Sequence, residues 1–566
     1  MLAENKNSFI KTHRGSIIAF LSCVFALVFS LLLHPIYETN DDPGMESLLY
    51  GTAVTSGTSY LIFINRILGI VLRILVSVFP NVNWYFIMHY GICLLSIFVL
   101  IYVLNNKFRK FGIALGFIVL AAVMETLFDV QFTKTAALAT IAGGIGLVYS
   151  IKEKKKFIFT IACIGLLLLA SMMRMEALFS TCPFVFIVYF FEFLDMRKSD
   201  KTALRKFLIC VLITVALITL CHSAGNFINA KTPGSAEFEQ YNFYRSRIQD
   251  YNLNSDSLDS ADSEIYMIHG WMNNDPNVFT VDRLKTLSAV YSSTKQSPAI
   301  PEVLSTYFTF ITDMTMTQQV LLLSIISGLA IMLFSSKKKM YPLLLIGCFM
   351  MLELYLVYSG RYGVHRVDFG ILVALLVSMF YLNSDLTPAI KKIIETYKIK
   401  IRKEIIIAIV SLVTGVIVLV LGYLPAAKQS AYRNYFHYLH AAFLDACSND
   451  NYFYVIHPMA YDVDTDRNIY DLPQDILQNR YCYMGGWGAG VAIPGQNYSG
   501  TTDTDTSIWE QCVDSENIRL VLHTESSSYC IETIEWYIEE HYCSNVESII
   551  EYENEFIVVY RIVSAD

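Results

Sequence analysis

Residues 60–79, YLIFINRILGIVLRILVSVF, decide how this chain is threaded through a membrane. The run is apolar and long enough to be counted as a span. Yet Arg66 and Arg73 lie seven residues apart on one helical face, with Asn65 beside Arg66. A central arginine costs roughly several kcal/mol in hydrocarbon, whereas a helix lying in the interface keeps both guanidinium groups in water. The stretch is expected to form an amphipathic helix along the outer surface and not to cross.

The rest of the chain supports that choice. The first apolar run, residues 16–34 (SIIAFLSCVFALVFSLLLH), is followed by no small-x-small cleavage site and is expected to be a retained span. Further runs lie near 83–104, 112–128, 134–150, 157–173, 177–194, 204–221, 318–335, 340–358, 365–382 and 404–424, which gives eleven spans. With a cytoplasmic N-terminus carrying Lys6, Lys11 and Arg14, the basic loops fall on one side: Lys107/Arg109/Lys110, Lys152 with Lys154–Lys156, Arg197 to Lys206, Lys337–Lys339, and Lys391 to Lys403. That is the positive-inside pattern, and counting 60–79 as a span would invert every later loop. The protein is therefore expected in the cell membrane, with outer loops 35–82 and 222–317 and a C-terminal extracytoplasmic segment.

Composition agrees. Of 566 residues, 54% are hydrophobic and 16% charged, with mean hydropathy +0.44; soluble chains carry about a quarter charged residues. Residues 425–566 hold 22 Asp and Glu against six Lys and Arg, so the tail stands at −16 and the first 424 residues at +8. An acidic body is a poor nucleic-acid binder. The fold class expected is an α-helical polytopic membrane domain over 1–424 and an independently folding α/β domain over 425–566. In that tail, Asn451–His457 and Ile518–His523 are expected as strands, Cys530–Tyr542 as a helix and Val546–Val563 as two strands. Five of the twelve cysteines, Cys447, Cys482, Cys512, Cys530 and Cys543, lie in the tail, where one or two disulfides are expected.

Chemistry is expected on the outer side. The first outer loop opens Tyr37-Glu38-Thr39-Asn40-Asp41-Asp42-Pro43-Gly44-Met45-Glu46. Asp42 before Pro43 is expected as a helix N-cap, which leaves Asp41 unexplained by capping. Asp41 and Asp42 are the candidate catalytic carboxylates, acting as general base or metal ligand. Glu125 and Asp129 are expected on one helical face, followed by Lys134. Asp129, Lys134, Glu46 and Glu176 are candidates for a second acid or pocket lining. Arg174, in a tight turn, and Arg361, His365 and Arg366, in the loop Ser359–Asp368, oppose the inside bias and suit the phosphate of a lipid. Tyr241–Tyr251 and Gly270–Asp275 offer aromatic and amide groups that suit sugar binding and equally a packed lobe. Gly485–Gly490 (GGWGAG) has no phosphate-loop spacing and is expected as a tight loop.

These residues resemble the GT-C superfamily of membrane glycosyltransferases that use polyprenyl-phosphate sugars. Asn40-Asp41-Asp42 matches the family's acidic first-loop motif in position. Gly360-Arg361 through Arg366-Val367 looks like its Gly-Arg…Arg-Val loop, and Arg174-x-Glu176 is similar to its Arg-containing turn. The resemblance covers about residues 16–424 in layout. It implies an inverting transfer from a polyprenyl-phosphate-linked sugar to a cell-envelope glycan or protein acceptor, among membrane lipids. A divalent ion, Mg or Mn, serves some members, with Asp41 and Asp129 as its ligands here if there is one. The alternatives are a cell-envelope polysaccharide polymerase or ligase, and a non-enzymatic flippase or scaffold.

Overall fold

In the computed structural model the chain is described apart from residues 53–55, 250–262, 295–298, 461–466, most of 315–339, 384–432 and 488–505, and a few single positions. It divides into two compact units. The first is Met1–Glu38, Trp84–Ser223 and Pro298–Ser430; the second is Thr39–Asn83, Ala224–Ser297 and Ala431–Asp566.

The first unit is helical. Among the described residues seven helices are long and apolar enough to cross a membrane: His13–Leu32, Trp84–Phe108, Phe132–Lys152, Met175–Ser199, Lys201–Lys231, Met340–Tyr358 and His365–Leu382. Gly112–Phe128 and Phe157–Met173 are shorter apolar helices. These match nine of the expected runs, and the chain is a multi-span membrane protein. The run at 318–335 is described only in part, and 404–424 lies almost entirely outside the described residues.

Helix Phe132–Lys152 is enclosed on every side, with Phe132 to Ile151 buried throughout. Its small residues explain this, because interhelical packing in membranes needs close backbone approach. A Cβ at Gly143 would stand 2.7 Å from the carbonyl oxygen of Cys163. The N-terminal end of this helix is bordered by a parallel pair of two-residue strands, β1 (Ile36–Tyr37) and β2 (Asp129–Val130), in register Ile36↔Asp129 and Tyr37↔Val130. Glu125 and Asp129 do not share a helical face as expected. The helix Glu125–Phe128 ends at Asp129, whose extended backbone (φ −118°, ψ 74°) enters β2.

In the second unit, helix Arg66–Val78 answers the opening question. Its 13 residues span about 20 Å at 1.5 Å per residue, short of the roughly 30 Å hydrocarbon core. The Asn65 side chain accepts from the Ile67 N–H at 3.0 Å and caps it. The arginines are half-buried and make inward contacts, where both were expected in water. Arg73 Nη1 donates to the Leu49 carbonyl at 3.1 Å, and Arg66 lies 5.4 Å from the Tyr60 ring centroid. They share the protein-facing side with Leu68, Gly69, Leu72 and Val76, while Val71, Ile74 and Val78 point outward.

The tail forms a five-stranded sheet ordered β4-β3-β5-β7-β6, from β3 (Phe453–Ile456), β4 (Tyr481–Tyr483), β5 (Ile518–His523), β6 (Val546–Glu553) and β7 (Ile557–Ser564). β3 runs parallel to β4 and β5; β7 runs antiparallel to β5 and β6. The period-two alternation of strands sends Tyr454, Ile456, Val521 and Val559 into one core with Leu439 and Phe443. It sends Val455, Leu520, Leu522 and Val558 into the other.

That second core redraws the expected domain boundary at residue 425. It is completed by Tyr241, Ile248, Ile265, Met267, Phe279 and Leu284 from the loop after Ala224, packed with Trp509, Ile534 and Tyr537. The tail is not a body apart from the outer loops. Buried Asp275 joins the two: it accepts from Ser507 Oγ at 2.8 Å, Tyr537 OH at 2.8 Å and Tyr542 OH at 2.5 Å. The expected disulfides are also absent, all twelve cysteines being free. Burial pushes the thiols of Cys447, Cys482 and Cys512 up to about 12, so they behave as apolar packing groups.

Candidate active site

The three acids of helix Asp41–Tyr50, in the first outer loop, receive three different environments. The helix begins two residues earlier than expected, because Asn40 already has helical backbone angles (φ −69°, ψ −9°). Asp42 is therefore not the N-cap. Both aspartates sit in the first turn, where the helix dipole favours negative charge, and Pro43 is tolerated because first-turn N–H groups need no intrahelical partner. Asp42 is fully buried, and so is Glu46. The Glu46 carboxylate accepts from Asn83 Nδ2 and pairs with Arg467. Asn83 Nδ2 also donates to the carbonyls of Ile469 and Asp471 at 2.9 Å. Glu46 thus anchors the helix to the tail. Asp41 alone of the three stays part-exposed, and its Oδ1 accepts from the indole N–H of Trp487 at 3.3 Å.

Trp487 stands in the loop expected as a tight turn, and it brings together segments far apart in sequence. Phe63 meets its ring edge-on, 4.7 Å between centroids. The Arg245 guanidinium lies 4.5 Å from the Trp487 ring and 5.1 Å from that of Trp271. Arg245 is fully buried and donates to Asn242 Oδ1 at 3.3 and 3.2 Å and to Gln249. Asn242 in turn donates to the Trp487 carbonyl at 3.3 Å. Of the two alternatives for the Tyr241 and Trp271 segments, their contacts fit the packed lobe.

A separate cluster lies in the first unit. Lys134 is fully buried in the first turns of its helix, with Glu125 Oε1 at 2.5 Å, Glu38 Oε2 at 2.9 Å and Asp129 Oδ2 at 3.4 Å. His365 Nε2 bonds the same Glu125 oxygen. The β1–β2 pairing delivers Glu38, whose N–H donates to the Val130 carbonyl at 3.0 Å. Burial pushes the Glu38 carboxyl above its ordinary range, with Lys134 pulling the other way. Three carboxylates consume one ammonium, so Lys134 and His365 are committed to acids. That is a poor setting for the lipid phosphate expected at His365.

Arg174, in extended backbone between two spans, pairs with exposed Glu176 at 3.1 Å and covers the Phe132 ring at 5.4 Å. Arg361 is exposed in a turn whose Gly360 and Gly363 have φ of +74° and +73°, and Arg366 opens the following helix half-buried. Asp129 belongs to the first unit and Asp41 to the second. Among the described residues no group of three or more His, Cys, Asp or Glu side chains could hold a metal ion. Asp129 faces the Lys134 ammonium, and Asp41 faces an indole N–H. Neither donor set fits a resident divalent ion.

The residues the sequence did not single out are Glu38, Arg467 and Trp487. Glu38 stood in the same acidic run as Asp41. Nothing local marked Arg467 or Trp487, since their partners lie more than 400 residues away.

The fold defines a multi-span helical membrane protein with an α/β lobe built from its tail and parts of two loops. No family model matches the chain, and no curated protein matches its sequence. Among solved structures, that of ArnT from Cupriavidus metallidurans in the apo state aligns over 96% of this chain and 97% of its own, at 11% identity and TM-score 0.39. A similarity at that score carries no argument about activity, which rests on the residues above.

Proposed function

We propose that this protein is a membrane glycosyltransferase, moving a sugar from a polyprenyl-phosphate donor to a cell-envelope acceptor on the outer face of the membrane. The observation that carries this is the sorting of the first-loop acids: Asp42 is buried, Glu46 is tied to Asn83 and Arg467, and Asp41 keeps access. Asp41 takes the proton of the acceptor hydroxyl as its oxygen attacks the anomeric carbon. The bond from that carbon to the phosphate oxygen breaks, and its electron pair leaves with polyprenyl phosphate. Cationic side chains are needed to meet the departing charge, and Arg174, Arg361 and Arg366 are the residues proposed for the lipid phosphate, for which guanidinium geometry is suited. No step runs through a metal.

The test is envelope-glycan analysis of a deletion strain complemented with wild type or with Asp41→Asn. Asp41→Asn inserts at wild-type abundance and restores glycan about a hundredfold more slowly, the scale of losing a general base. Equal restoration by both removes the catalytic assignment. No glycan difference between deletion and wild type leaves a flippase or scaffold as the better account.

A further inference from the structure

Asp41 works, on the reading above, only if its carboxylate is held toward the acceptor. We propose that Trp487, from the C-terminal tail, is the positioning residue of Asp41. This inference rests on the transferase reading and gives the tail a part in it.

The contact is chemically specific. An indole has one N–H donor and no acceptor, so Trp487 can fix one carboxylate oxygen without competing for the proton that Asp41 must take. The 3.3 Å bond to Oδ1 is made by a ring that has little freedom to move. Arg245 covers the ring, Phe63 abuts its edge, and Asn242 holds its carbonyl.

The backbone before the ring is equally constrained. A Cβ at Gly485 would stand 1.9 Å from the Trp271 carbonyl oxygen, and Gly486 has φ +115°. Only glycine allows both the close approach and that backbone angle. Trp271 itself has φ +57°, uncommon for a bulky side chain. Such outliers persist where the surroundings fix them, and they cluster at working sites. Segments from the first loop, the middle loop and the tail thus converge on one ring, and that ring's only polar atom points at Asp41.

Trp487→Phe is the decisive variant, because it keeps an aromatic face for Arg245 and Phe63 and removes the N–H together with the pyrrole ring that carries it. Complementing the deletion strain with it is expected to slow glycan restoration about tenfold at matched abundance, the scale of one hydrogen bond to a charged group. Trp487→Phe with Asp41→Asn is expected to be no slower than Asp41→Asn alone, since the two act as a unit. Unchanged restoration by Trp487→Phe, or multiplying losses in the double variant, overturns the proposal.

A readout independent of activity accompanies it. In the full-length protein labelled with 15N-tryptophan, the Trp487 indole resonance is expected to move on Asp41→Asn. An unmoved resonance overturns the positioning contact alone. A moved resonance in a protein whose deletion leaves the envelope unchanged overturns the transferase reading instead, and the catalytic role of Trp487 with it.

Discussion

Two groups of carboxylates lie in this protein, and their surroundings separate them. Around Lys134, Glu38, Glu125 and Asp129 close on one buried ammonium, and His365 adds a further partner. At Asp41 a single carboxylate meets a neutral indole donor and keeps access to solvent. The first arrangement is satisfied from within; charge is spent on charge, and breaking it leaves uncompensated groups in an apolar interior. The second leaves a part-exposed carboxylate held by a neutral donor. Acidic residues close together in sequence therefore have opposite fates, and the difference lies in what the rest of the chain brings to them.

The largest effect that would break this comparison concerns how the Asp41 side is built. Residues 431–566 expressed alone are expected to give no cooperative melt. One face of their sheet is covered by Tyr241, Ile265, Met267 and Phe279 from outside the fragment, and the helix carrying Asp41 is tied in through Glu46 and Arg467. A cooperative thermal transition by circular dichroism would show the tail to be a body of its own, with the loops as additions.

Next comes Lys134→Met. Removing the ammonium strands three carboxylates, and the expected loss is about 3–5 kcal/mol, read as a lowered melting temperature in detergent. If Lys134→Met melts within a degree or two of wild type, the cluster is not satisfied from within, and Lys134 is open to a ligand.

The smallest effect is a pH dependence in the second unit. His457 Nε2 donates to the Gly270 carbonyl at 2.7 Å and its Nδ1 accepts from the Met459 N–H at 3.2 Å, so the ring is neutral. Burial holds its pKa below the ordinary value. A folded pKa below the unfolded one means that the unfolded state binds the proton first. Stability from this site is present above about pH 6.5 and falls as pH drops below it, by at most about 1.4 kcal/mol per unit. His457→Gln is expected to flatten the melting temperature between about pH 7 and 5. An unchanged slope would assign the acid sensitivity elsewhere.

The amino-acid sequence by itself determined the apolar runs, the presence of a non-crossing helix within 60–79 and the tail's main strands. Hydrophobic periodicity and length are local properties, and a span or strand shows them wherever it packs. It also placed Asp41 among the candidates, because an acidic pair just beyond a span is visible in ten residues, although the capping reason for preferring Asp41 to Asp42 did not hold. Only the tertiary structure decided that Asp42 and Glu46 are buried, that both arginines of 66–78 turn inward, and that Lys134 is saturated by three acids. It alone joined the middle loop to the tail and brought Trp487 to Asp41. Such facts depend on residues hundreds of positions apart meeting across an apolar core, and a local pattern carries no record of which distant side chain will fill the space beside it.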